Sequence, residues 1–261
     1  MQTFEFPYLP ERPAKPRSKG LTMMMDKGLS VREAENFVSA CSEYTDLVKF
    51  GFGTGLITKD LQKKIDVYKS AGIRPYLGGT LFEAFVIRNM FDDYRKLLEQ
   101  YHLEMAEISD GSMAMPHEEK LKYIRILSKQ VVVLSEVGSK VADVLIPPEQ
   151  WVSMMKNELS EGSWKVIAEA RESGTIGIYE KDGSVRTSLV DDIIGHVNPD
   201  DVIWEAPDKK QQVWFIKLLG PNVNLGNIAT QEVIPLETLR LGLRGDTFFE
   251  NLPDHLQDKK Q

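Results

Sequence analysis

Residues 131–138 read VVVLSEVG: an apolar run, an acid near its end, and a glycine. A short apolar run bounded by turn signals is the pattern of a strand buried on both faces. It is far too short to cross a bilayer. The same form recurs along the chain, in LTMMMDKG from Leu21, TDLVKFGFG from Thr45, IRPYLGGT from Ile73 and LEMAEISDG from Leu103. It returns in WKVIAEAR from Trp164, VIWEAP from Val202 and NVNLGN from Asn222. Helical patterns lie between these runs. Ser30 and Glu33 have capping-box spacing ahead of Ala34, Phe37, Val38 and Cys41, which share one helical face. Pro116 sits at a first helical position before Leu121, Ile124 and Leu127, while Gly72 and Gly220 stand where helices stop before the next strand. LETLRLGL, residues 236–243, supplies the eighth helix. Eight strand–helix units predict an α/β protein, a single (β/α)8 TIM barrel. A doubly wound open sheet shares the alternation, but no GxGxxG follows the first strand, and polar residues end all eight strands rather than lining one crevice.

The barrel is expected over residues 20–250, preceded by a proline-rich extended arm at 1–19 and followed by a polar tail at 251–261. Pro7, Pro10, Pro13 and Pro16 keep the arm out of helix, and it reads equally as a loose tail or as a strap on a neighbouring subunit, with Phe4, Phe6 and Tyr8 alternating along it. No apolar core precedes a cleavage site there, so a signal peptide is not expected. Of 261 residues 42% are apolar, which excludes a disordered chain, and a formal charge of −7 argues against nucleic acid or an anionic membrane as partner. Lone Cys41 excludes a disulfide framework and a cysteine-rich zinc site, and suits a reducing cytoplasm. KDLQKK (59–64) and DKKQQ (208–212) read as solvated helix faces, and Arg244-Gly245-Asp246 as incidental.

The carboxyl ends of the strands carry the chemistry of such barrels. In order these ends offer Asp26 and Lys27; Lys49; Gly78, Gly79 and Thr80; Glu107, Ser109 and Asp110; Glu136 with Lys140 just beyond; Glu169 and Arg171; Glu205; and Asn222 and Asn224. Alternation makes Asp26 and Lys27 competitors for the barrel axis and puts Glu107 and Ser109 on one face. Glu205 reads equally as a structural salt bridge. His102, His117, His196 and His255 all avoid the strand tops, so a histidine base, a Ser-His-Asp triad and a histidine-bound zinc are not expected. Acid–base work falls to lysine or carboxylate, and a metal would be oxygen-bound, Mg²⁺ before others. ARESGTIG (170–177), with Arg171, Ser173 and Gly174, and NVNLGNI (222–228), with Gly226, have the make-up of phosphate loops, and the GGT containing Gly79 adds a third.

At these strand ends the chain resembles the phosphosulfolactate synthase family. The resemblance is carried by GLTMMMDKGL, DLVKFGFGT, GGTLFE, EISDGS, LSEVGSK, EARESG, EAP, NVNLGNI and LETLRLGLRGDTF, in that order, over residues 20–249. It implies a (β/α)8 barrel, a Mg²⁺ cofactor, a homo-oligomer with a trimer as candidate form, and sulfite and phosphoenolpyruvate as substrates. Sulfite adds to C3 of phosphoenolpyruvate, and C2 is then protonated to give (2R)-2-O-phospho-3-sulfolactate. In archaea that product leads toward coenzyme M; in bacteria sulfolactate is the expected end. Lys140, in SEVGSK, matches the lysine proposed as the family's acid, and Lys49, in VKFG, is the alternative acid or a sulfite-binding cation. Glu136, Glu107 and Asp26, with Glu169 behind them, are the candidate metal ligands. Arg171, Ser173, Gly174, Gly79, Asn224 and Gly226 are the candidate substrate contacts. A stress-protective relative without catalysis, or an aldolase using Lys49 as a Schiff base on another phosphorylated substrate, are the competing expectations.

Overall fold

The computed structural model describes residues 6–139, 146–171 and 173–257. Lys140 lies outside them. The elements run β1 (Thr22–Asp26), α1 (Val31–Cys41), β2 (Leu47–Phe50), α2 (Leu61–Ser70), β3 (Arg74–Leu77), α3 (Gly79–Val86), α4 (Phe91–Gln100) and β4 (Met105–Ile108). They continue with α5 (His117–Leu127), β5 (Val132–Val137), α6 (Pro148–Ser160), β6 (Ser163–Ala168), α7 (Thr187–His196), β7 (Val202–Glu205), α8 (Lys209–Leu219), β8 (Leu225–Ile228), α9 (Val233–Arg240) and the short α10 (Asp254–Gln257). The eight strands form one parallel sheet in the order β3-β2-β1-β8-β7-β6-β5-β4, a nearly closed (β/α)8 barrel. β3 and β4, at the two ends of that order, are joined by a side chain instead of a ladder: Gly79 N–H donates to Glu107 Oε1 at 2.6 Å. A side chain at Gly79 would drive its Cβ to 2.4 Å from Ser109 Cβ, so this seam needs a glycine.

Strand alternation sorts the apolar residues into two cores. Leu21, Met23, Leu47, Tyr76, Met105, Leu134, Ile167 and Ile203 fill the barrel interior. Their neighbours in sequence, such as Met24, Val48, Ala106, Val133, Val166 and Val202, face the helices. Ser30 caps α1 with both bonds of the box: its Oγ accepts from Glu33 N–H, and its own N–H donates to Glu33 Oε2. Pro116 is the residue before α5 and not its first.

The expected solvated faces are partly wrong. Lys64, at the end of KDLQKK, is fully buried: its ammonium lies 2.8 Å from Asp26 Oδ2 and also bonds Leu29 C=O. Gln211 and Gln212, in DKKQQ, are buried too, bonding Gly174 C=O and Ala206 C=O. A lysine carries a long apolar stem, so polarity alone does not place it outside. Across the amino-terminal mouth the arm is pinned by its cations. Arg12 pairs with Glu237 at 2.9 Å, Lys15 donates to Ser42 and Thr45 carbonyls, and Arg17 meets Asp46 at 3.2 Å. Phe6 and Tyr8 remain exposed.

Candidate active site

Moving two residues toward the carboxyl end from the interior layer keeps the same face and changes the chemistry. Beyond Leu47, Met105, Leu134, Ile167 and Ile203 stand Lys49, Glu107, Glu136, Glu169 and Glu205, all buried. Four acids and a lysine therefore form a ring on top of an apolar plug. Lys49 Nζ lies 3.0 Å from Glu107 Oε1, 3.1 Å from Glu136 Oε2 and 3.1 Å from Glu205 Oε1. Burial disfavours its charge, but Glu107, Glu205 and Glu136 outweigh this and hold the ammonium well above its ordinary pKa. A Schiff-base role needs the neutral amine, which these carboxylate partners disfavour. Burial is also the main reason the Glu205 carboxyl is raised to about 7; the Lys49 ammonium opposes this and Glu136 adds to it. Glu205 is anchored by Ala170 N–H at 2.8 Å, and Ser109 Oγ bonds both Glu83 at 2.6 Å and Glu136 at 2.9 Å.

A cavity of about 460 Å³ opens above the ring. Met25, Lys49, Glu136, Glu169, Glu205 and Asn227 wall its buried part, and the exposed Phe52, Thr80, Ser112, Arg171 and Ser173 stand at its rim. None of the histidines lines it. Glu136, Glu169 and Glu205 each offer one carboxylate oxygen, all within 4.8 Å of one another. Oxygen donors from three neighbouring strands suit a hard divalent cation.

The remaining candidates separate. Asp26 faces the helix layer, not the axis. Its oxygens take Gly28 N–H at 2.8 Å, Leu29 N–H at 2.9 Å, Tyr68 O–H at 2.8 Å and the Lys64 ammonium, so it organises the turn after β1 and does not reach the cavity. Asn224 lies at the opposite mouth of the barrel, where it accepts from Leu21 N–H and donates to Asp200 and Val202 carbonyls. β8 begins only at Leu225, so NVN is the entry to the strand and not its top. Gly226 is in the barrel wall, where a Cβ would stand 2.6 Å from Met23 Cε and 3.0 Å from Ile203 Cγ2. The Gly174 N–H closes a turn on Arg171 C=O at 2.8 Å, and the Gly79 N–H is taken by Glu107. The ring and cavity thus bring together Lys49, Glu107, Glu136, Glu169, Arg171 and Ser173.

Comparison with known proteins shows the family and the fold. The family model described as (2R)-phospho-3-sulfolactate synthase (ComA) matches residues 10–246. The chain is 44% identical over 244 residues to a phosphosulfolactate synthase of Bacillus subtilis, covering 92% of this chain and 97% of that one. The chain belongs to the phosphosulfolactate synthase family. It is likewise 41% identical to the phosphosulfolactate synthase of Methanothermobacter thermautotrophicus, over 95% of this chain and 98% of that one. As a member of this family it is an enzyme, a carbon–sulfur lyase. Among solved structures, a 3-hexulose-6-phosphate synthase superposes with a TM-score of 0.54 at 12% identity, covering 84% of this chain and 98% of that one, a likeness of fold.

Two buried polar residues of the cavity in this synthase-family chain, Glu205 and Asn227, escaped the candidate set. Glu205 was legible by parity, standing two residues beyond interior Ile203. Asn227 was not. The regular alternation of β8 would turn it toward the helices, but its φ of 56° carries it to the cavity, with Nδ2 on Ala170 C=O at 3.5 Å. Asparagine tolerates this left-handed region better than most residues, and its position after Gly226 was the one available signal.

Proposed function

We propose that this chain catalyses the Mg²⁺-dependent addition of sulfite to phosphoenolpyruvate, giving (2R)-2-O-phospho-3-sulfolactate. The observation that carries this reading is the buried Glu136–Glu169–Glu205 group beneath a cavity rimmed by Arg171, in a chain matched to the family from residue 10 to 246. The sulfur lone pair of sulfite forms the C3–S bond, the C2–C3 π electrons move onto C2 and into the substrate carboxylate, and a proton then reaches C2. Glu136, Glu169 and Glu205 would hold Mg²⁺. Bound there, it supplies Lewis-acid stabilisation of the charge that develops on the substrate carboxylate. Arg171, exposed at the rim beside Ser173, orients the phosphate by charge-assisted hydrogen bonds. Lys140 donates the proton to C2, being the lysine in the family's SEVGSK segment directly after β5. Lys49 is less suited to that step, because its ammonium is paired at 3.0 Å with Glu107, a carboxylate outside the metal group. A cytoplasmic homo-oligomer, a trimer first, belongs to the same reading, supported by lone Cys41 and by the family.

Incubation with sulfite, phosphoenolpyruvate and Mg²⁺ should yield phosphosulfolactate by mass spectrometry, and EDTA should abolish it. No product with any divalent cation would return the chain to the stress-protective reading. Arg171→Ala should raise the KM for phosphoenolpyruvate by about tenfold or more with a much smaller change in kcat, the signature of lost ground-state binding. An unchanged KM would remove Arg171 from the phosphate site.

A further inference from the structure

The metal-ligand group and the lysine cluster share members. Glu136 and Glu205 belong to the three carboxylates that converge within 4.8 Å, and both are also partners of Lys49, at 3.1 Å each. The third partner of Lys49, Glu107, lies outside that group, at 3.0 Å. An ammonium and a divalent cation are therefore rivals for the same two side chains, and among the described residues Glu107 is the carboxylate partner left to the lysine.

We propose that Lys49 is the resident counter-cation of the ring, and that a divalent cation entering it takes Glu136 and Glu205 from Lys49, leaving the ammonium on Glu107 and turned to the cavity as an anion-binding group. This rests on the ring being the metal seat, as proposed above. Four buried carboxylates repel one another unless positive charge lies among them, and Lys49 supplies such a charge to three of them, Glu107, Glu136 and Glu205. A doubly charged ion with direct oxygen ligation outcompetes a singly charged ammonium that offers hydrogen bonds alone. The lysine is built to yield. Its stem passes Gly78, where a Cβ would stand 3.3 Å from Lys49 Cε, and its head already borders the cavity. Ammonium on a flexible chain has no fixed fork geometry to lose, unlike guanidinium. The exchange orders the reaction: the cation binds first, and its arrival releases the positive group that receives the anionic substrate.

Crystals of the wild-type protein grown with MnCl₂ and no substrate test this directly. The expected result is an anomalous peak bound by Glu136 and Glu205, with Lys49 Nζ still on Glu107 but beyond about 4 Å from the other two, outside ion-pair range. Manganese in the ring with Lys49 still bridging Glu136 and Glu205 would overturn the exchange while leaving the metal seat standing. No manganese in the ring would overturn the metal seat and the exchange with it. In solution, calorimetric titration of Mn²⁺ into Lys49→Met should give a Kd at least about tenfold lower than wild type, because the competing charge is gone. An equal or higher Kd speaks against competition.

Discussion

Glu136→Gln is expected to lower kcat/KM for the sulfite addition by about 10³-fold, roughly 4 kcal/mol of transition-state stabilisation, while the barrel stays folded. Glutamine has the shape of glutamate and can keep the contact with Ser109 Oγ, now 2.9 Å from Glu136 Oε1. What it removes is one negative charge from the three oxygens that converge beneath the cavity. Stability should not suffer, because the repulsion among four buried acids falls by one partner. The check is steady-state kinetics across a Mg²⁺ titration, with thermal denaturation beside it. A loss below tenfold at saturating Mg²⁺ would place the Glu136 charge outside the chemistry.

Lys64→Met should leave the protein about 3–5 kcal/mol less stable, because it strands a buried carboxylate. Asp26 and Lys64 are both fully buried, and the ammonium is the one cation in contact with Asp26 among the described residues. For a domain of this size the melting temperature should fall by roughly 6–20 °C. The double variant Lys64→Met with Asp26→Asn should recover much of the loss, since both charges are then gone and Tyr68 and the turn amides keep a partner. A double variant no more stable than Lys64→Met alone would show that the methionine's shape, and not the stranded charge, does the damage.

The barrel was legible because its strands are short apolar runs with regular spacing, and side-chain parity extends that reading to the site. Lys49, Glu107, Glu136 and Glu169 follow from counting two residues up from the interior layer. The failures have physical causes. Asn224 was misplaced because a strand's last residue and its approach look alike when the run is only Leu225–Ile228. Asp26 and Lys27 could not be separated until Met23 and Met25 were seen to share the inward face. Lys64 and Gln211 are polar residues whose burial depends on partners remote in sequence, Asp26 and Gly174. Asn227 reaches the cavity through a backbone angle that alternation does not foresee.

The seam between β3 and β4 bears on how the site should be dissected. Glu107 Oε1 both closes the wall, through Gly79 N–H, and holds Lys49. A substitution there is confounded from the start: a fall in turnover would report a breached wall and a misplaced ammonium in one number. Glu136 and Glu205 do not hold that seam, so they are the cleaner positions from which to apportion the chemistry.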